Sequence, residues 1–150
     1  MELIEARMLA RSLMDEYGLH DWAFMFDQAK HRIGRTRQRG TSVKLISLSE
    51  PLTLVNDRSL IEDTIRHEIA HALVGPEQKH NIVWQRMAVK VGAKPYAAKQ
   101  AVSAPAPYKL VCPNGHEADR YRRPTKEISC SRCDPRFNRK YLFKLVQNGR

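Results

Sequence analysis

Only three cysteines occur in the 150 residues, Cys112, Cys130 and Cys133, and none precedes position 112. That number cannot build a disulfide framework, and its clustering in the last third points to metal ligation instead. No apolar stretch approaches the roughly 18 residues that a membrane-spanning helix needs. The opening "MELIEARMLARSLMDEYG" carries acids where an export signal has a basic start and then an unbroken apolar run. The expected location is therefore the cytoplasm. No internal repeat is visible. Acidic residues are missing altogether from 28–49, a stretch that holds six bases.

What is present suits a folded chain. Apolar residues make up 42%, enough for a core, and the length allows one modest domain or a small domain with an appendage. The formal charge of +10 falls in blocks: residues 28–49 carry +6 and residues 112–150 another +6, whereas residues 50–74 carry −3. Blocks of one sign suit an anionic partner such as nucleic acid better than an evenly solvated surface does.

Apolar spacing predicts a helix over 3–17 with Leu3, Leu9, Leu13, Met14 and Tyr17, and more weakly Met8, at helical spacing, stopped near Gly18. "WAFMF" at 22–26 reads as a buried strand and "VKLISLS" at 43–49 as another, with the basic strand-and-turn stretch "KHRIGRTRQRG" between them. Ser59 and Glu62 form an S-x-x-E capping pattern for the next helix, which Gly75-Pro76 closes. A further helix is expected from about Asn81 to Val91. Residues 93–107, "AKPYAAKQAVSAPAP", read as a linker. Beyond it, "YKLVC", "DRYRR", "KEIS" and "KYLFKLV" are short strand-like runs. The expectation is an α+β body at 1–92 and a small β-rich unit at 108–146.

The helix after Ser59 contains "TIRHEIAHALVG". Residues four apart share a helix face, so His67 and His71 can bind one zinc ion through their imidazoles. Glu68, displaced about a third of a turn, is placed to take a proton from water at the metal. Ile61, Ile65, Ile69 and Ala72 line the opposite, core-facing side. Chance alone predicts about 0.01 H-E-x-x-H matches in a chain of this composition. A catalytic zinc needs a third protein ligand and an open fourth position. The arrangement with a Gly three residues after the second His fails, because that position is Val74, and after Glu77 the next acid is Glu117. His80, just past the Gly-Pro break and on one face with Trp84, Met87 and Val91, is the better candidate. A solvent-exposed His80 without a role is the alternative.

"HEIAHALVGPEQKHNIVW" resembles the SprT-like family, with its H-E-x-x-H helix, short variable loop, and a His followed a few residues on by Trp. "ISLSEPLTL" before "IEDTIRHEIAH" is similar to the family's strand-then-helix approach to the site. The resemblance implies a zincin-like metalloprotease with His67, His71 and His80 as zinc ligands and Glu68 as general base. Its best-known branch, Spartan, is a DNA-dependent protease that degrades proteins crosslinked to DNA. Asn81 stands where the family usually has Gly.

"CSRC" is a two-thiolate knuckle, and "CPNGH" offers Cys112 and His116 as the other half of a Cys₃His zinc site. A β-rich unit this small cannot bury enough apolar surface to fold without metal. SprT-like proteins commonly carry such a ribbon, usually with four cysteines. Two zinc ions are expected, one catalytic and one structural. Around the second site lie Arg120, Arg122, Arg123 and Arg136, with Tyr121, Phe137 and Tyr141 interleaved. These bases can meet phosphates, and the rings can stack on unpaired bases. The expected function is a zinc endopeptidase acting on DNA-bound or crosslinked proteins. The alternatives are a non-enzymatic zinc protein that binds nucleic acid, and a regulatory protease that cuts one repressor.

Overall fold

Helix α1 (Leu3–Glu16) buries Ala6, Ala10, Leu13 and Met14, spaced four, seven and eight residues from the first, as one face of a 3.6-residue helix requires. It leaves Ile4 and Met8 outside. The Arg11 guanidinium then reaches past the helix end to the carbonyls of Leu19 and Trp22, 2.8 Å from each, and fixes the turn into the first strand. This is a computed structural model, and it describes residues 1–96 and 105–147.

Strands β1 (Ala23–Asp27), β2 (Gly34–Arg39) and β3 (Val43–Ser49) form one sheet in the order β1-β3-β2. β3 is central, parallel to β1 and antiparallel to β2. The stretch 22–26 is therefore not a fully buried strand. β1 starts one residue later, turns Phe24 and Phe26 towards the interior and leaves Met25 exposed. With helices on a single face, alternate residues of an edge strand must meet water.

Serine 49 ends β3 and caps α2 (Glu50–Val55), a helix that the sequence reading did not separate. Its hydroxyl accepts the Leu52 N–H, and Pro51 occupies the first turn, where its missing N–H costs nothing. α3 (Arg58–Val74) is capped by Asp57, whose Oδ1 accepts the Leu60 N–H at 2.8 Å. The capping box expected at Ser59 and Glu62 does not form. Buried Asn56 closes α2 by donating to the Leu52 carbonyl, so the chain has already turned by position 57. Glu62 instead pairs with Arg66 one turn on, at 2.9 Å. Gly75, at φ 93°, ends α3 in a conformation that a residue with a Cβ rarely adopts. After a short 3₁₀ turn at Pro76–Gln78 comes α4 (Ile82–Lys90), capped by the Asn81 side chain, which accepts from the Val83 and Trp84 N–H groups.

Ile46, Leu48, Leu52, Ile61, Ile65, Ile69, Trp84 and Val91 form the centre of this core. Each such aliphatic side chain contributes about 1.5–3 kcal/mol by leaving water. Ala93, in the stretch read as linker, is also buried there, while residues 97–104 of that stretch lie outside the described residues.

The chain divides into two compact units, Met1–Ala104 and Pro105–Arg150. In the second, β4 (Tyr108–Val111), β5 (Glu117–Arg120) and β6 (Lys144–Gln147) form an antiparallel sheet in the order β5-β4-β6. The run "DRYRR" leaves the sheet after Arg120, and "KEIS" contributes only a bridge between Ser129 and Leu142. "KYLFKLV" splits into a 3₁₀ turn at Arg139–Tyr141 and β6. Ala106, Leu110, Cys112 and Cys130 are the buried residues of this unit among those described. So small an apolar interior depends on a further cross-link. Overall, the secondary structure is mixed α+β, with two small sheets and four α-helices among the described residues. None of those helices is long and apolar enough to cross a membrane.

Candidate metal centres and active site

One turn of α3 places His67 and His71 on the same face. His80 comes to them from the other side of the Gly75 break. The chain reverses at Lys79, whose φ of 46° is unfavourable for a side-chain-bearing residue, and His80 follows immediately before the Asn81 cap. The Nε2 atom of His80 lies 3.1 Å from those of both His67 and His71. Trp84, wholly buried, forms the floor, with ring centroids 4.5 Å from His67 and His80 and 5.1 Å from His71. α4 therefore serves the site twice: its cap sets the turn at His80, and its first turn supplies the floor.

The donor set fits a zinc ion. Ligand arms of about 2.0–2.1 Å at tetrahedral angles put neighbouring nitrogens about 3.3 Å apart, close to the separations found. At His67 and His71 protonation does not compete near neutral pH. Burial, followed by the neighbouring imidazoles, lowers His67 to about 3 and His71 to about 4. Neutral imidazoles present lone pairs to a cation.

Glu68 is buried beside these ligands, and burial raises its carboxyl to about 7 against the opposing hydrogen bonds from Thr36. The Thr36 hydroxyl lies 2.7 Å from Glu68 Oε2 and 2.8 Å from the Glu68 carbonyl oxygen. One residue pair earlier on the same strand, Gly34 is pressed against the glutamate. A Cβ there would lie 2.7 Å from Glu68 Oε1, 2.8 Å from Glu68 Cγ and 2.7 Å from Thr64 Cγ2. β2 thus holds the carboxylate from one side and leaves it no room to swing. The histidines and Glu68 border an open cavity of about 530 Å³, shared with Gly34, Arg35 and Thr36.

Sequence reasoning did not find Gly34 or Thr36. Their only signal was the two-residue alternation of a basic strand, which does not say what the strand packs against.

The second cluster lies in the second unit. Cys112 and His116 come from the turn between β4 and β5, and Cys130 and Cys133 from the knuckle after Ser129. His116 Nδ1 lies 3.6 Å from Cys112 Sγ, 3.5 Å from Cys130 Sγ and 3.3 Å from Cys133 Sγ, and the sulfurs of Cys112 and Cys133 are 3.8 Å apart. Tetrahedral zinc with Zn–S bonds of about 2.3 Å gives sulfur–sulfur edges of about 3.8 Å and nitrogen–sulfur edges of about 3.5 Å, so this set fits as well. The sulfurs do not share one tendency to ionise: burial, with the neighbouring Cys130 and Cys112 sulfurs, holds the Cys133 thiol above its usual value. The His116 N–H donates to Cys112 Sγ and the Asn114 amide to Cys133 Sγ, each at 3.3 Å. Burial pushes the Cys130 thiol up, but hydrogen bonds led by the backbone amides of Cys133 and Arg132 outweigh it and bring the thiol down to about 7.

Among the arginines singled out from sequence, Arg122, Arg123 and Arg136 are exposed. Arg120 is half-buried and donates to the Asp119 carbonyl at 3.0 Å. Phe137 is exposed, Tyr121 is half-buried, and Tyr141 lies under the Lys140 ammonium, 5.6 Å from the ring centroid.

Three convergent imidazoles, a helix supplying two of them, and a buried carboxylate between them and a sheet edge define a candidate metal-dependent hydrolase site. Comparison with protein families resolves the class further. The SprT-like family model matches residues 8–104, about two thirds of the chain, and the chain belongs to that family. The family is in general one of zinc-associated metallopeptidases. Comparison with curated proteins and with solved structures found no match.

Proposed function

We propose that this chain is a zinc-dependent endopeptidase with a zincin-type catalytic unit, acting on proteins held on or crosslinked to DNA. The observation that carries the reading is the approach of His80 Nε2 to within 3.1 Å of the Nε2 atoms of both His67 and His71, beside the buried carboxylate of Glu68 on the helix that bears those two. His67, His71 and His80 would hold the catalytic zinc, which when bound polarises the scissile carbonyl and lowers the pKa of water. Glu68 accepts the proton of the attacking water and passes it to the departing amine. A carboxyl near 7 can do both, since neither protonation state is far from ambient pH. Thr36 fixes which way the carboxylate faces. Among the described residues β2 pairs only with β3, and its other edge could take an extended peptide as an added strand beside the cavity.

In this reading residues 1–92 are the protease unit and 108–146 a zinc ribbon, joined by 93–107, of which Ala93 packs with the first unit and Ala106 is buried in the second. Cys112, His116, Cys130 and Cys133 would hold a structural zinc with all four positions occupied by protein. The ribbon would bind DNA through Arg120, Arg122, Arg123 and Arg136. Its surplus of positive charge and the exposed Phe137 support that assignment.

The test is digestion of casein with and without DNA, by the wild type and by Glu68→Gln. The variant should keep its zinc and fold and lose about 10²–10⁴-fold in rate, as loss of a general base does. Wild-type cleavage by Glu68→Gln would remove Glu68 from its role. No cleavage by either protein, with both zinc ions bound, would favour a non-enzymatic nucleic-acid-binding protein.

A further inference from the structure

β2 has two faces with different work. Gly34, Thr36 and Gln38 turn inward and are half-buried, whereas Arg35, Arg37 and Arg39 are all exposed. None of the three arginines forms an ion pair among the described residues. Their cross-strand partners on β3 offer none, being Ser47, Leu45 and Val43. The next row, on β1, holds Ala23 and Met25. The nearest acid along that face, Asp27, is already engaged by Arg32 at 2.8 Å and by the Ser47 hydroxyl at 2.8 Å. The outer face of the sheet is therefore a flat surface with a row of free guanidinium groups, stepped by about 6.6–6.8 Å.

We propose that this outer face, through Arg35, Arg37 and Arg39, docks the phosphate backbone of nucleic acid, independently of the ribbon. A regular row of like charges matches a polymer that repeats its own charge. Guanidinium forks suit phosphate oxygens in pairs. Among the described strand residues of this face none is aromatic, so bases would have nothing there on which to stack. The row also has a direction. Arg35 borders the cavity with the three histidines, and Arg37 and Arg39 lead away from it. A backbone lying along the row brings whatever protein it carries to the rim of the candidate active site. The docking itself requires no cleavage and stands apart from the protease reading.

The test uses the full chain and a fluorescent 20-nucleotide DNA, single-stranded and as a duplex, with affinity measured by anisotropy as salt is raised. The variant Arg37→Gln/Arg39→Gln spares Arg35, which touches the cavity. Each lost phosphate contact lowers the slope of log affinity against log salt by about 0.7–0.9, so two contacts lower it by about 1.4–1.8. Between roughly 50 and 200 mM salt the wild type should then lose about 7–12-fold more affinity than the variant does. Arg37→Lys/Arg39→Lys, which keeps the charges, should restore most of the slope. A ribbon variant, Arg122→Gln/Arg123→Gln, should leave the Arg37 and Arg39 contribution unchanged. A loss on both forms, about 1.4 in slope on single strand and about 1.8 on duplex, identifies the backbone as the ligand. The proposal is overturned if the Gln variant keeps the wild-type slope. It is also overturned if poly-glutamate of matched charge displaces DNA from the wild type as well as unlabelled DNA does, since the face would then serve acidic polypeptide.

Discussion

Gly34→Ala changes one methyl group and isolates the hold that β2 exerts on Glu68. The added Cβ would stand 2.7 Å from Glu68 Oε1 and 2.7 Å from Thr64 Cγ2, where ordinary contact begins at 3.4 Å. Something must therefore yield by about 0.7 Å. Thr64 is part of α3 and its hydroxyl donates to the Leu60 carbonyl, so the helix resists. Glu68 is buried and tied to Thr36, so its carboxylate cannot escape into solvent without breaking that bond. Overpacking of this kind costs about 1–3 kcal/mol in stability. Catalytic groups tolerate displacements of about 0.5 Å, and a misplacement of about 1 Å can cost 100-fold. We expect kcat to fall about 10- to 100-fold with KM little changed, because the carboxylate acts in the reaction rather than in binding. Zinc content should stay at the wild-type level, since the three atoms nearest the new methyl belong to Glu68 and Thr64 and none to a histidine. Adding Thr64→Ser removes one collision and should recover part of the lost stability while leaving kcat low. The assay is peptide cleavage normalised to zinc-loaded protein, beside thermal melting. Wild-type kcat in folded, zinc-loaded Gly34→Ala would refute the claim that β2 positions the general base.

Two further outcomes test other parts of the account. The purified protein should hold two zinc ions, with His67→Ala losing one and Cys130→Ser the other, as read by elemental analysis; a single ion in the wild type would remove one site. Asp27 concerns stability against pH. Burial raises its carboxyl, but hydrogen bonds from the Ala29 N–H, Arg32 and Ser47 outweigh burial and hold it below its usual value of 3.8. The folded state therefore favours the charged form. The stabilisation is present above about pH 4 and is lost as pH falls through the lower, folded-state value. Asp27→Asn should be less stable than wild type by roughly 1–2 kcal/mol at pH 7 in urea unfolding, with the gap closing below pH 4. A gap that persists into acid would mean that the carboxylate charge is not what stabilises this corner.

Much of the candidate chemistry is legible in one dimension because its spacing is local. His67 and His71 share a face through the helix repeat, Glu68 follows from adjacency, and Cys130 and Cys133 form a knuckle across two intervening residues. The same locality explains the errors. Ser59 and Glu62 have the spacing of a capping box, yet Asp57 caps α3, because where a helix begins depends on how the preceding one ends. Residues 22–26 read as a buried strand, but burial on both faces requires a second layer of helices, and the helices here all lie on one side of the sheet.

Tertiary structure alone decided which distant residues meet. His80 reaches His67 across 13 residues only because Lys79 reverses the chain and the Asn81 cap holds that turn. Thr36 meets Glu68 across 32 residues because β2, at the sheet edge, packs its inner face on α3. That packing sends Arg35, Arg37 and Arg39 outward as a row. A strand written in sequence has two equivalent faces, and only the helix pressed against one of them tells which residues serve the site and which face the solvent.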